Sequence, residues 1–141
     1  MIRSCTRDIS FCAGHRVKDH ETKCSKPHGH NYRVEITATA EQLDKLGRII
    51  DFAVLKEKIG GWIEHNWDHG FIVFSEDGDL IKALSGIPDN KLFILPTNPT
   101  VENLCAYLLE EICPVLLKDT SVTVTKILIN ETDNCRAEVS L

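Results

Sequence analysis

Three histidines in the first quarter of the chain have the spacing of metal ligands. His28 and His30 flank Gly29, and residues two apart on an extended backbone project from the same side. Gly29 places no side chain between them, so a ligand can approach the backbone closely. His15 ends an earlier strand-like run, and pairing of the two strands as a hairpin brings it to the same end of the sheet. We expect the three histidines to converge on one ion.

The donor set of this cluster favours zinc. Three neutral imidazoles suit zinc best among the common metals, and three protein ligands leave one position open for water or substrate, as in catalytic sites. Cys24 lies four residues before His28 in a polar stretch. Its sulfur could be a fourth ligand, which would make the site a closed structural one. The residues therefore predict a zinc centre, either catalytic with a free thiol or structural with a bound one.

A second polar pair, Asp68 and His69, follows the first predicted helix. In a loop the carboxylate can orient and charge-stabilise an imidazole. A free thiol is mostly protonated at neutral pH, so Cys24 needs a base such as His69 to become a thiolate. The pair is either part of a proton relay with Cys24 or merely a cap at the helix exit. His20 and His65 have no such partners, and we expect them to be solvated.

Two glutamates are further candidates for a binding role. Glu102 falls in the first turn of the second predicted helix, where the helix dipole favours an anion, so its default role is structural. Glu131 begins a turn between two predicted strands, and there too the default is structural. It would become a binding residue for a ligand with two adjacent N–H donors, because a carboxylate accepts such a pair in bidentate fashion.

Size and charge indicate a single domain, 1–141, that acts on a small molecule. The 141 residues and the hydrophobic fraction of 43% are enough for one core. The net charge of -5, without a long basic run, gives no reason to expect binding to nucleic acid or to an anionic membrane. Arg3, Arg7 and Asp8 interrupt the N-terminal apolar residues, so we expect no signal peptide, no membrane span and a cytoplasmic location.

The six cysteines are expected to stay reduced, because no secretory signal precedes them. Cys24 stands apart, since its neighbours are polar and the histidines follow at once. The others fall on apolar strand-like or helical patterns in which a thiol acts as a small hydrophobe; they are Cys5, Cys12, Cys105, Cys113 and Cys135.

The elements that must position these residues follow an α+β order. Alternating apolar residues predict strands, and a 3.6-residue apolar period predicts helices. The predicted order is a strand at 2–13, a strand at 30–38, a helix capped by Asp51, a long loop, a helix that begins near Pro99, and strands at 122–130 and 135–141. This ββααββ order predicts a four-stranded antiparallel sheet with two helices on one face. The polar outer face of the sheet could pack against copies of the chain.

The chain resembles a known family, the 6-pyruvoyl-tetrahydropterin synthase and 6-carboxy-tetrahydropterin synthase group. The likeness spans nearly the whole chain and rests on six blocks in the right order. These blocks are FCAGHR at 11–16, CSKPHGHNY at 24–32, IDF at 50–52, DH at 68–69, PTVEN at 99–103 and ET at 131–132.

The resemblance implies a fold and a role for each candidate residue. The fold is the tunnelling fold, in which subunits form trimeric barrels that pair into hexamers with sites at subunit boundaries. The three histidines would bind catalytic zinc, Cys24 would be the catalytic thiol, and Asp68 and His69 would complete the proton relay. Glu131 would anchor the pyrimidine edge of a pterin, and Glu102 would lie near the substrate.

The implied substrate is 7,8-dihydroneopterin triphosphate. One branch of the family loses triphosphate to give 6-pyruvoyl-tetrahydropterin, on the route to tetrahydrobiopterin. The other also cleaves the side chain, giving 6-carboxy-5,6,7,8-tetrahydropterin and acetaldehyde on the route to deazaguanines such as queuosine. We expect a zinc-dependent lyase of the second branch, because that branch is the more widespread in microbes. The alternatives are 6-pyruvoyl-tetrahydropterin synthase and, outside the enzymes, a structural zinc-binding module.

Two segments depart from the pattern of the family. Ile72-Val73 stands where the family often has Leu-Asn, which removes a polar contact, and the stretch 74–97 is longer than the shortest members need. The residues that bind triphosphate are not identified, although Arg16, Lys23 and Lys26 lie near the histidine motif.

Overall fold

Two long antiparallel strands form the centre of the sheet. In the computed structural model, which describes residues 1–141, β1 (Cys5–His15) pairs with β2 (His28–Ala40) along its whole length. Alternate residues of β2 from Tyr32 to Ala38 are buried, as expected for a strand with one face on the core. The hairpin between β1 and β2 is therefore confirmed.

The sheet has six strands, so the predicted four-stranded antiparallel sheet is wrong, although the α+β class is confirmed. The remaining strands are β3 (Gly70–Phe74), β4 (Leu92–Leu95), β5 (Val122–Asn130) and β6 (Arg136–Ser140). Their order across the sheet is β4-β3-β1-β2-β5-β6. Strand β3 runs parallel to β1, and β4 runs parallel to β3. The predicted strands at 122–130 and 135–141 correspond to β5 and β6.

The additional strands come from the stretch predicted as a long loop. Three helices accompany the sheet: α1 (residues 52–66), α2 (Gly78–Ser85) and α3 (residues 101–116). Helix α2 connects β3 to β4, and its Leu80 and Leu84 pack with Val73 in a small separate cluster. Ile72 belongs instead to the main core. Successive strand residues face opposite sides, so α2 covers the opposite face of the sheet from the main core.

Helices α1 and α3 each contain one widened turn. Asp51 caps α1 as predicted, since its carboxylate accepts a hydrogen bond from the Ala53 N–H at 2.9 Å. A π-helical turn occupies Lys56–Gly60 in α1, and another occupies Leu108–Ile112 in α3. The second turn ends two residues before Pro114, whose ring would collide with the backbone of a regular helix. The helix therefore continues past this proline to residue 116.

The main core, of 23 buried residues, lies between the sheet and helices α1 and α3. It includes Leu55 and Ile59 of α1, Leu104 and Leu108 of α3, and the buried face of β2. Both predicted helices thus lie on one face of the sheet. None of the helices has the length and apolar character needed to cross a membrane.

Candidate metal centre and active site

The three histidines meet at one end of the β1–β2 hairpin. His15 lies directly opposite His28 in the strand register, and His30 lies opposite Ala13, two residues further on. The ring centroids are 4.7, 5.1 and 4.8 Å apart. One potential ligand nitrogen from each ring lies within 4.8 Å of the others. The hairpin register therefore brings the predicted ligands together.

Hydrogen bonds to main-chain carbonyls orient two of the rings. Nδ1 of His15 donates to the Pro99 carbonyl at 2.8 Å, and Nδ1 of His28 donates to the Lys26 carbonyl at 2.6 Å. Because a carbonyl only accepts, each Nδ1 carries the proton and each Nε2 carries a lone pair. Such a second hydrogen bond is usual for metal-binding histidines. Nε2 of His15 is buried and has no hydrogen-bond partner.

The electrostatics of the cluster also suit a cation. Burial lowers the pKa of His15 to about 4 and lowers the pKa of His30 as well, so both rings are neutral near pH 7, as metal binding requires. The Nε2 atoms of His28 and His30 lie 3.1 Å apart. Nitrogens bound tetrahedrally to zinc at about 2.0–2.1 Å stand about 3.3 Å apart. The donor set, the orphaned nitrogen and the spacing fit a divalent metal.

Cys24 is close to this cluster in sequence but does not join it. The potential ligand atoms within 4.8 Å of one another are the three imidazole nitrogens and no sulfur. Cys24 lies in a short 3-10 turn, Lys23–Ser25, and lines a cavity of about 250 Å³. The geometry does not assemble the closed site with a thiol as fourth ligand.

Both candidate glutamates line the same cavity as Cys24. Glu131 connects this cavity to the metal cluster, because its Oε1 lies 3.4 Å from Nε2 of His30. Glu102 lies in the first turn of α3, whose cap is the Thr100 hydroxyl. His20, expected in solvent, is half-buried and lines this cavity too, whereas His65 is exposed as expected. Cys135 and Arg136 line the cavity as well, so it collects two thiols, two carboxylates, an imidazole and a guanidinium beside the three histidines.

Asp68 and His69 do not line the cavity of Cys24 within one chain. They follow α1 and contact Cys12 of β1, and the cavity of about 530 Å³ that His69 lines does not include Cys24. Oδ2 of Asp68 accepts a hydrogen bond from Nδ1 of His69 at 2.8 Å. One chain therefore forms the carboxylate–imidazole pair but does not bring it to Cys24.

Sequence reasoning missed two residues beside this pair. Cys12 was expected to be a packing residue, yet its sulfur lies 3.6 Å from the ring nitrogens of His69; its strand parity, opposite to that of buried Phe11 and Ala13, is the signal that could have shown it. No motif or pattern in the sequence singles out the second residue, Lys91. Its ammonium donates to the carbonyls of Asp68 and Glu64 at 2.6 and 2.8 Å, and so fixes the loop after α1.

Arg16 is occupied by an ion pair rather than free for phosphate. Its guanidinium makes a two-pronged contact with the buried carboxylate of Asp77, with Nε donating to Oδ2 at 2.6 Å. This contact holds the pKa of Asp77 below its ordinary value. Asp77 also caps α2. The ion pair between Arg16 and Asp77 therefore connects the end of β1 to the start of α2.

Comparison with known proteins shows the family. The family described as 6-pyruvoyl tetrahydropterin synthase matches residues 4–141. The chain belongs to this family. It is 42% identical to a protein named 6-carboxy-5,6,7,8-tetrahydropterin synthase from Rickettsia typhi, over 96% of this chain and 98% of the relative. It is 34% identical to a probable 6-carboxy-5,6,7,8-tetrahydropterin synthase from Halobacterium salinarum, over 85% of this chain and 78% of the relative.

Solved structures share the fold of this tetrahydropterin synthase family member. An uncharacterized protein from Wolinella succinogenes has a TM-score of 0.83 at 22% identity, covering 99% of this chain and 98% of the other. The 6-pyruvoyl tetrahydropterin synthase of Caenorhabditis elegans has a TM-score of 0.70 at 23% identity, covering 100% and 96%. The resemblance drawn from the six sequence blocks is confirmed.

Proposed function

We propose that this chain is a zinc-dependent 6-carboxy-5,6,7,8-tetrahydropterin synthase. It would convert 7,8-dihydroneopterin triphosphate and water to 6-carboxy-5,6,7,8-tetrahydropterin, acetaldehyde and triphosphate, on the route to deazaguanines such as queuosine. Relatives of that name at 42% and 40% identity support the choice of product. The observation that carries the proposal is the three-histidine cluster, which Glu131 links to the cavity of Cys24.

The three histidines and three residues of the cavity have a role in this proposal. The three histidines would hold zinc through their Nε2 atoms, and the bound metal supplies Lewis acidity toward the hydroxyl groups of the substrate side chain. Glu131 accepts the two adjacent N–H donors of the pterin ring, and Glu102 lines the wall beside it. Cys24 removes and returns a proton at the carbon of the side chain that carries a hydroxyl group.

The small volume of the cavity favours a site completed by a second copy. The space of about 250 Å³ around Cys24 lies below the range of about 300–1,000 Å³ usual for small-molecule sites. The carboxylate–imidazole pair that Cys24 needs lies apart in the same chain. We propose that Asp68 and His69 of a neighbouring copy approach Cys24 and complete the relay.

The free edges of the sheet are suited to such an assembly. Strand β6 pairs only with β5, and β1 pairs with β3 only at Ala13 and Gly14, which leaves residues 5–11 of β1 unpaired on that side. Unpaired strand edges are templates for pairing with another chain, and a head-to-tail contact that closes forms a ring. We propose a trimeric ring formed by these edges, which pairs into a hexamer.

Product identification tests the proposed reaction. Zinc-loaded protein is supplied with 7,8-dihydroneopterin triphosphate, the pterins are identified by mass spectrometry, and acetaldehyde is measured separately. The proposal expects equal amounts of acetaldehyde and 6-carboxy-5,6,7,8-tetrahydropterin. A 6-pyruvoyl product without acetaldehyde would assign the other branch, and no change in the substrate would overturn the enzyme proposal. Cys24→Ala is the inactive control, and Cys5→Ala, at a half-buried thiol of β1 that does not line this cavity, is its matched active control.

A further inference from the structure

His20 lies in the wall of the proposed active cavity and has no role in the reaction described so far. Its side chain is half-buried and lines the cavity of about 250 Å³ that Cys24 and Glu131 also line. Nδ1 accepts a hydrogen bond from the Thr22 main-chain N–H at 3.0 Å, and the Thr22 hydroxyl lies 3.2 Å from the same nitrogen. Nε2 makes no hydrogen bond within the chain. The protein therefore holds this ring through one nitrogen and leaves the other without a partner.

The hydrogen bond from Thr22 determines the tautomer of the ring. A main-chain N–H can only donate, so Nδ1 carries a lone pair and, in the neutral ring, Nε2 carries the proton. The carboxylate of exposed Glu21 lies 3.4 Å from Nδ1 without a hydrogen bond to it. His15 and His28 have the opposite tautomer, because their Nδ1 atoms donate to carbonyls. The two metal-site rings thus offer lone pairs, whereas His20 offers an N–H donor.

The loop that carries His20 is held in place at both ends. The side chain of Asn98 contacts Lys18 twice, because its Oδ1 accepts from the Lys18 N–H at 2.9 Å and its Nδ2 donates to the Lys18 carbonyl at 3.0 Å. The Val17 N–H donates to the Cys24 carbonyl at 2.9 Å, which closes the loop onto the turn that contains the thiol. The backbone therefore fixes where the imidazole of His20 enters the wall of the cavity.

We propose that His20 binds the pterin substrate by donating a hydrogen bond from Nε2 to an acceptor oxygen of the ligand. This inference rests on the proposed function, which supplies the ligand. Glu131 and Glu102 in the same wall are acceptors when ionised, so they bind N–H and O–H groups. The ring carbonyl and the phosphates of the substrate present acceptor oxygens, which need a donor. Besides exposed Arg136, His20 is the residue of this wall with a ring or guanidinium N–H to donate, and its tautomer is set before the ligand arrives.

Two substitutions separate the roles of the two ring nitrogens. Asparagine keeps an acceptor close to the position of Nδ1, where its Oδ1 can accept the Thr22 N–H, but it has no group at the position of Nε2. Glutamine reaches further and places an amide N–H near the position of Nε2, although an amide cannot act as a base. We expect His20→Asn to weaken ligand binding by about tenfold, as for the loss of one hydrogen bond, and His20→Gln to retain most of the affinity.

Titration calorimetry on zinc-loaded Cys24→Ala protein measures this binding, because the substrate is not turned over there. The two probes are 7,8-dihydroneopterin and its triphosphate. Weaker binding of both probes after His20→Asn assigns the donor to an oxygen of the pterin or its side chain. Weaker binding of the triphosphate alone assigns it to a phosphate oxygen. His65→Asn, at an exposed histidine outside the cavity, is the matched control and should leave both affinities unchanged.

Two outcomes overturn the role of His20 and leave the proposed function in place. One is unchanged affinity for both probes in folded His20→Asn protein. The other is full affinity but lost turnover when His20→Asn and His20→Gln are each made with Cys24 intact, because His20 would then be a base and not a donor. If His20→Asn does not fold by circular dichroism, the comparison of His20→Gln with His20→Leu, which has a similar size and no donor, decides instead. Failure of the protein with His20 intact to bind either probe would overturn the proposed function and this role together.

Discussion

The Nε2 atoms of His28 and His30 lie 3.1 Å apart, each on a ring that offers a lone pair in its neutral form. Two lone pairs at that distance repel unless a proton or a cation lies between them. The third nitrogen, Nε2 of His15, is buried without any partner, which is costly for a polar atom. The hairpin therefore holds three imidazoles in an arrangement that a bound cation would stabilise.

Replacing His28 by alanine should abolish tight zinc binding. Loss of an outer hydrogen bond alone typically costs metal sites about 10–100-fold in affinity, so loss of a ligand should cost more than about 100-fold. Zinc content per chain is measured by elemental analysis after dialysis, with His65→Ala as the control at an exposed histidine. Full zinc content in His28→Ala would show that the three histidines are not the metal site.

Replacing Cys24 by serine should separate catalysis from metal binding. The sulfur is not among the clustered ligand atoms, so we expect unchanged zinc content and an unchanged unfolding temperature. The turnover number should fall by about 10²–10⁴-fold, the usual contribution of a general acid or base. Zinc loss together with unfolding in Cys24→Ser would instead favour the structural zinc module.

The site was easier to predict from the sequence than the sheet. His28 and His30 are local to one strand, and the hairpin that returns His15 to them follows from alternation that both strands display. Strands β3 and β4 were missed because each is a short, continuous apolar run without polar alternation, FIVF at 71–74 and LFIL at 92–95. The separation of His69 from Cys24 within one chain was also missed, because spacing along the sequence does not show which loops the fold brings together.

The ion pair of Arg16 with Asp77 should make stability sensitive to acid. The folded-state pKa of Asp77 lies below its ordinary value of 3.8, so the pair's contribution is present above about pH 4 and is lost as the pH falls through the folded-state value. At pH 7, Asp77→Asn removes the ion pair from Arg16, whose side chain is 24% exposed, and should lower the free energy of unfolding by about 2 kcal/mol. Urea unfolding at pH 7 and pH 3 should show the difference from the unmodified protein shrinking at pH 3.

Asp79→Asn is the matched control for this ion pair. Asp79 is exposed on the same helix, α2. The substitution removes a favourable contact with the helix dipole and a weak attraction to Arg16, together worth less than about 1 kcal/mol. An equal loss of stability in both variants would contradict a specific role for the buried pair.

Mixed oligomers test whether two copies share one active site. Cys24→Ala and His69→Asn proteins should each be inactive, because each lacks one member of the relay. If the thiol and the imidazole of a site come from different chains, unfolding and refolding the two proteins together creates sites with both groups intact. When equal amounts assemble randomly into a ring, a site has an intact Cys24 with a probability of about one half and an intact His69 with a probability of about one half. About one quarter of all sites therefore have both groups. Activity near this fraction of that of the unmodified protein is expected, measured as pterin product per chain.

Each variant refolded alone is the control. If native mass spectrometry shows mixed rings that remain inactive, the relay does not span two chains, and Cys24 must act with a base from its own cavity, in which His20 is the imidazole.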